Sequence, residues 1–408
     1  MSLKNILAIA LGILSAIGGF VDIGDLVFNT QAGAEFGYDL MWAVPVGVVG
    51  IAVYSEMSGR VAAVTKRPVF DVIRMRMGLP TGLVVLVASL FVNLLTLAAE
   101  IGGVAIVLQL FFDAPFTLFA LLAALGLVVI IWFTPFEGIE RIFGYLGLAL
   151  FVFVAAALHE QPDWHAVGSG FVPEAQSSTL YWYFVVGLMA AALMPYEVYF
   201  YSSGGVEEGW TPKDLMVNRL NAIIGYGIGG ILSLGLMVAS AQLFEPTGVQ
   251  PDHLGTVPLL AQLPYGETGL AIALLGMLFA IGGAAVDASF AAAYSIAQFA
   301  GWEWGKYRRP SGAPRFTLAW LVFFALALAI LMTGIDPLEL TEYSVVLSVV
   351  ALPLTYLPVL LIARDRTFMG DHANGPIARV LGWFYLGVIV VVAIAAIPLL
   401  LATNAGGG

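Results

Sequence analysis

Two carboxylates three residues apart, Asp22 and Asp25, sit in the stretch GGFVDIGDLVF (residues 18–28), inside a run otherwise apolar enough to enter a membrane. Gly18, Gly19 and Gly24 surround them. A second stretch, ALMPYEVYFYSSG (residues 192–204), places Pro195 in mid-run and Glu197 two residues later. Proline removes a backbone donor and disfavours helix in the residue before it. Both runs therefore read as interrupted helices, and a break frees carbonyls and helix ends that can hold an ion. A carboxylate at the bilayer centre costs about 2.5–3.5 kcal/mol on the insertion scale. The apolar runs carry no basic residue away from one end, so a proton, water or a bound cation must compensate. A cation site at a helix break is the expected chemistry. The plain alternative is that both acids are protonated or face a watery vestibule and bind nothing.

The surrounding chain supplies the elements for such a site. Of 408 residues, 60% are hydrophobic and 11% charged, with a mean hydropathy of +0.95. The apolar residues fall in blocks of about 20, the length that crosses hydrocarbon. This excludes a soluble enzyme with a large core. The first block begins near residue 5 and exceeds a signal-peptide core, so it reads as the first span. There is no cysteine, which excludes disulfides and thiolate metal sites.

Hydropathy predicts an all-α membrane protein of eleven spans: 5–33, 39–63, 81–111, 115–134, 142–158, 179–203, 217–244, 264–299, 315–333, 337–363 and 377–402. Spans three and eight look overlong, and tilt is expected there. With the N-terminus inside, the inner segments hold all sixteen Lys and Arg, from Lys4 through Arg60–Arg76 and Lys306–Arg315 to Arg379. That is the positive-inside rule obeyed without exception. It predicts a cytoplasmic N-terminus and an outer C-terminus, in the plasma (inner) membrane of a prokaryote. Outer loops carry acids such as Glu35, Asp39, Asp113 and Asp252, which would raise local cation concentration or serve only as loop polarity. Interruptions in spans one and six are what a five-plus-five inverted repeat would show. The whole chain, 1–408, reads as a single transporter domain with repeats near 5–158 and 179–363 and an additional helix at 377–402.

At these residues the sequence resembles the NRAMP family, proton-coupled importers of divalent transition metals with a LeuT-type fold. The first-span motif Asp-Pro-Gly-Asn corresponds to Asp22-Ile23-Gly24-Asp25, followed by QAGAEFGYDLMW (residues 31–42). The sixth-span motif Ala-x-x-Met-Pro-His corresponds to Ala191 through Met194, Pro195 and Tyr196, and LPLTYLPVLLIARDRTFMG (352–370) is also similar. The resemblance implies metal ligands at Asp22, Asp25, the Ala191 carbonyl and Met194, with Ser344 where the family places a span-ten glutamine. Gly24, Pro195 and Tyr196 would shape the breaks. Three departures stand out. Asp25 replaces asparagine, Tyr196 replaces the histidine, and of a span-three acid pair Glu100 remains while its partner position is Leu97.

Hard oxygens from Asp22 and Asp25 joined by the Met194 thioether tilt such a site toward Mn²⁺, Fe²⁺ or Co²⁺. Methionine also fills packing gaps, so the thioether has a structural reading as well. The expected activity is alternating-access import of Mn²⁺-like ions, with proton coupling through a non-standard route drawn from Asp25, Glu100, Glu197 and Asp287. An uncoupled Mg²⁺ or broad divalent pathway in the same fold is the alternative, favoured by the altered proton residues. An intramembrane aspartyl protease would need Asp287 as partner to Asp25, and the glycine context is wrong. An organic-solute carrier would have its substrate carboxylate repelled by the two acids. The metal is cargo, and no cofactor is expected. The expected partners are divalent ions, protons and the lipid bilayer around a monomer. The basic residues are loop charges and suggest no nucleic acid.

Overall fold

The computed structural model describes residues 21–112, 114–174 and 176–404. Gly18, Gly19, Lys4, Asp113 and the first half of the expected first span lie outside these. The described residues are helical. They form α1 (Ile23–Phe36), α2 (Ala43–Thr65), α3 (Val69–Phe111), α4 (Phe116–Phe133) and α5 (Phe136–His159). After a loop come α6 (Thr179–Ala192), α7 (Pro195–Glu207), α8 (Tyr226–Leu243), α9 (Leu259–Ala300), α10 (Pro314–Leu331), α11 (Pro337–Ala363) and α12 (Pro376–Ala402). Among the described residues, nine helical runs are long and apolar enough to cross a membrane, with α6 and α7 joined as one of them. Of the remaining two expected spans, 39–63 overlaps α2, which is 23 residues long and carries Glu56 and Arg60, and the described part of 5–33 overlaps α1.

Apolar faces alone would not order such a bundle, because lipid is as apolar as leucine. Close backbone approach and buried polar contacts supply the order. Gly187 faces Phe28, where a Cβ would lie 2.0 Å from the ring, and Gly33 faces the backbone of Met237 at 2.3 Å. These contacts press α1 between α6 and α8. The Ser240 hydroxyl donates to the Thr30 carbonyl at 2.6 Å and ties α8 to α1 again.

The two long helices each bend at or before the start of the expected long span. α3, 43 residues, bends at Gly78 (φ 80°, ψ 172°) two residues before Pro80. α9, 42 residues, bends at Gly266 (φ 61°, ψ −149°) two residues after Pro264. Each is a short helix followed by a span, divided where only glycine takes the positive φ without strain.

Candidate metal centre

The break between α6 and α7 follows from three residues. Pro195 has no N–H, so the Ala191 carbonyl four residues earlier has no helical partner. Met194, preceding proline, is extended (φ −61°, ψ 126°). Leu193 leaves helical geometry (φ −117°, ψ 37°), and its carbonyl accepts from the Tyr356 hydroxyl of α11 at 3.1 Å. Pro195 then opens α7, where its missing donor costs nothing. The carbonyl end of α6, the negative end of its dipole, thus stops in the middle of the protein.

The start of α1 faces this end. Asp22 is its N-cap, and Asp22 Oδ1 accepts the Asp25 N–H at 2.9 Å. A Cβ on Gly24 would lie 3.1 Å from Asp22 Oδ1 and 3.7 Å from the Ala191 Cβ, so the two breaks are in contact. Asp25 Oδ1 accepts from Asn29 Nδ2 at 2.9 Å and from the Ser233 hydroxyl of α8 at 3.1 Å. Glu100 of α3 arrives from a third side and accepts the Ile23 N–H at 3.4 Å. The Tyr196 hydroxyl, in the first turn of α7, bonds the Asp22 carboxylate.

Asp22, Asp25, Met194, Tyr196 and Glu100 are all buried. Among the described residues, Asp22 Oδ2, Asp25 Oδ2 and Glu100 Oε2 nevertheless have no hydrogen-bond partner. Buried polar atoms are almost always paired, and an orphaned one calls for an explanation. Three orphaned carboxylate oxygens lie near an open carbonyl end, and among the described residues no Lys or Arg forms an ion pair with Asp22, Asp25 or Glu100. Among the described residues no group of three His, Cys, Asp or Glu has metal-holding geometry. The set the resemblance implies, two aspartates with the Ala191 carbonyl and the Met194 thioether, remains the candidate.

The other expected residues take separate places. Ser344 is buried on α11 and its hydroxyl pairs with that of Thr96 on α3 at 3.1 Å. Its neighbour Val345, rather than Ser344 itself, packs on Gly24. Glu197 is buried with Oε1 orphaned, and its side chain bonds Tyr226 of α8. Asp287 of α9 has Glu140 and Lys306 as charged neighbours and lies within electrostatic range of Glu197 and Tyr196 of α7.

Three residues that hold the acids were not picked out from sequence, Asn29, Ser233 and Tyr226, while Tyr196, expected only to shape the break, also bonds Asp22. Asn29 could have been found, because it lies four residues after Asp25 on one helix face. Ser233 and Tyr226 reach the site across some 30 to more than 200 residues of chain, and no local spacing announces them.

Comparison with known proteins agrees with this architecture. Residues 12–398 match the family model Nramp, described as natural resistance-associated macrophage protein-like. The divalent metal cation transporter MntH of Aeromonas hydrophila subsp. hydrophila is 23% identical over 395 residues, covering 91% of each chain. The manganese transporter of Eremococcus coleocola, solved with an aromatic bis-isothiourea substituted compound, superposes with a TM-score of 0.82 at 18% identity. That match covers 96% of this chain and 86% of the other. A histidine-to-alanine mutant of the same transporter gives 0.80 at 17% identity, covering 99% and 87%.

Proposed function

The chain belongs to the Nramp family and has its LeuT-type fold, and on that premise we propose that it imports divalent transition-metal ions, Mn²⁺ first, by alternating access. The observation that carries the reading is the set of orphaned, buried oxygens of Asp22 and Asp25 at the point where the carbonyl end of α6 stops. Two hard carboxylates balance a divalent charge, the Ala191 carbonyl adds a neutral oxygen, and Met194 favours softer ions over Ca²⁺ and Mg²⁺. Relatives that share the fold are named as manganese and divalent metal transporters. The basic loops face the cytoplasm on this reading, and the ion enters from the acidic side.

Asp25 in place of asparagine, with Glu100 and Glu197 close by, supplies the proton exchange that the missing histidine would otherwise provide. Tyr196 at the histidine position and Leu97 at the lost acid favour one second reading, an uncoupled pathway of broader divalent selectivity. One experiment tests both. Uptake of Mn²⁺, Mg²⁺ and Ca²⁺ into liposomes is followed together with internal pH. Acidification accompanying Mn²⁺ entry supports the first reading. Mn²⁺ entry without it, blocked by Mg²⁺, supports the second. No divalent uptake at all removes both.

A further inference from the structure

Lys306 lies in the loop between α9 and α10, on the basic side of the bundle, yet its side chain is only 2% exposed. Its ammonium contacts Glu140 Oε1 of α5 at 3.0 Å and stands 4.3 Å from the centre of the Phe136 ring, also on α5. The Phe200 ring of α7 is 5.1 Å away. A Cβ on Gly204 of α7 would meet the ammonium at 3.7 Å. The loop backbone is pinned beside it. The Lys306 N–H donates to the Tyr294 hydroxyl at 3.2 Å, and that hydroxyl donates to Glu207 at the end of α7. Gly305 has φ +147°, and a Cβ there would fall 2.6 Å from Glu207 Oε1, so the loop approaches α7 as closely as glycine permits.

A buried ammonium is costly unless paired and enclosed. Here the enclosure is made jointly by α5 and α7. α7 is the second half of the interrupted helix, which must re-angle if the site is to open toward the basic side. Movement of α7 away from α5 would pull Phe200, Gly204 and Glu207 off the side chain that α5 holds through Glu140.

We propose that Lys306 is a positioning residue of the transport cycle, a latch that fastens the inner end of α7 to α5 and must leave its seat before the ion is released. The proposal rests on the alternating-access reading, but its main test needs no metal. The chain has no cysteine, so Gly204→Cys gives a single reporter directly beneath the ammonium. Full-length protein in liposomes is labelled with a charged, membrane-impermeant methanethiosulfonate from the inner side. With the latch intact, labelling is slow. Glu140→Gln should accelerate it roughly tenfold, a modest shift in the open population. Glu303→Gln, which breaks the exposed Arg308 pair outside the seat, should leave the rate unchanged. Should Glu140→Gln fail to fold, Glu140→Asp, which keeps the charge and shortens the reach, takes its place with the same expected direction. Equal labelling rates with and without the Glu140 substitution, or equal acceleration by Glu303→Gln, would overturn the latch. Mn²⁺ uptake by the Glu140 variant adds a second readout, with maximal rate changed and apparent KM held. A wild-type protein that moves no divalent ion removes the transport reading instead, whatever the labelling shows.

Discussion

Asp22 Oδ1 receives the backbone N–H of Asp25 at 2.9 Å, so one carboxylate both caps α1 and offers its other oxygen, without a hydrogen-bond partner among the described residues, to the break. The two roles separate by substitution. Asparagine caps a helix about as well as aspartate, whereas alanine forfeits about 1 kcal/mol. Asp22→Asn should therefore fold with an unchanged melting temperature and lose Mn²⁺ uptake. Asp22→Ala should lose uptake and melt about 1 °C lower. Equal melting of the two variants would show that the cap contributes nothing.

Met194 is buried at the turn between α6 and α7, and its backbone is set by Pro195 rather than by its side chain. Replacing it with leucine keeps the volume and removes the sulfur. Met194→Leu should leave stability within about 1 kcal/mol, weaken Mn²⁺ by roughly tenfold in competition uptake, and raise the relative rate for Ca²⁺ and Mg²⁺. Unchanged selectivity would make the thioether a gap-filler.

Much of this architecture was legible because membrane burial writes in coarse letters. Blocks of about 20 apolar residues locate candidate spans from composition alone. The break at Pro195 was legible because proline acts on the backbone four residues upstream. The bends at Gly78 and Gly266 had signals in Pro80 and Pro264 that the span pattern alone does not use. Contacts such as Ser233 on Asp25, 208 residues apart, are tertiary and leave no spacing to read. Lys306 looked like any loop cation, since loop charges are ordinarily solvated. Only the structure shows it enclosed.

That enclosure sets its response to pH. Burial alone would lower the Lys306 pKa, but Glu140 first, and then Tyr307, Glu208 and Glu207, more than reverse this, and it lies above the ordinary 10.5. Asp287 of α9 is a further acid facing it. A group whose folded pKa is raised contributes stability fully below its unfolded value and loses it as pH climbs through the folded value. The ammonium is thus charged throughout pH of about 6 to 9. Labelling at Gly204→Cys, corrected for thiolate fraction, should not rise across that window. A rise toward pH 9 would mean that the ammonium titrates there and the seat is wetter than described.

Gly24 offers the sharpest separation of packing from chemistry. A Cβ there would lie 2.9 Å from Val345 Cγ2 and 3.1 Å from Asp22 Oδ1. The first contact is steric and belongs to α11, while the second presses on the candidate ligand itself. Gly24→Ala should lower both stability and Mn²⁺ affinity, despite a gain in helix propensity of up to about 1 kcal/mol. Adding Val345→Ala removes only the first clash. The double variant should recover its melting temperature while Mn²⁺ binding, measured by calorimetry, stays weakened, because the new methyl still displaces the Asp22 carboxylate. Recovery of both together would place the harm in packing alone and leave Asp22 without a demonstrated part in holding the ion.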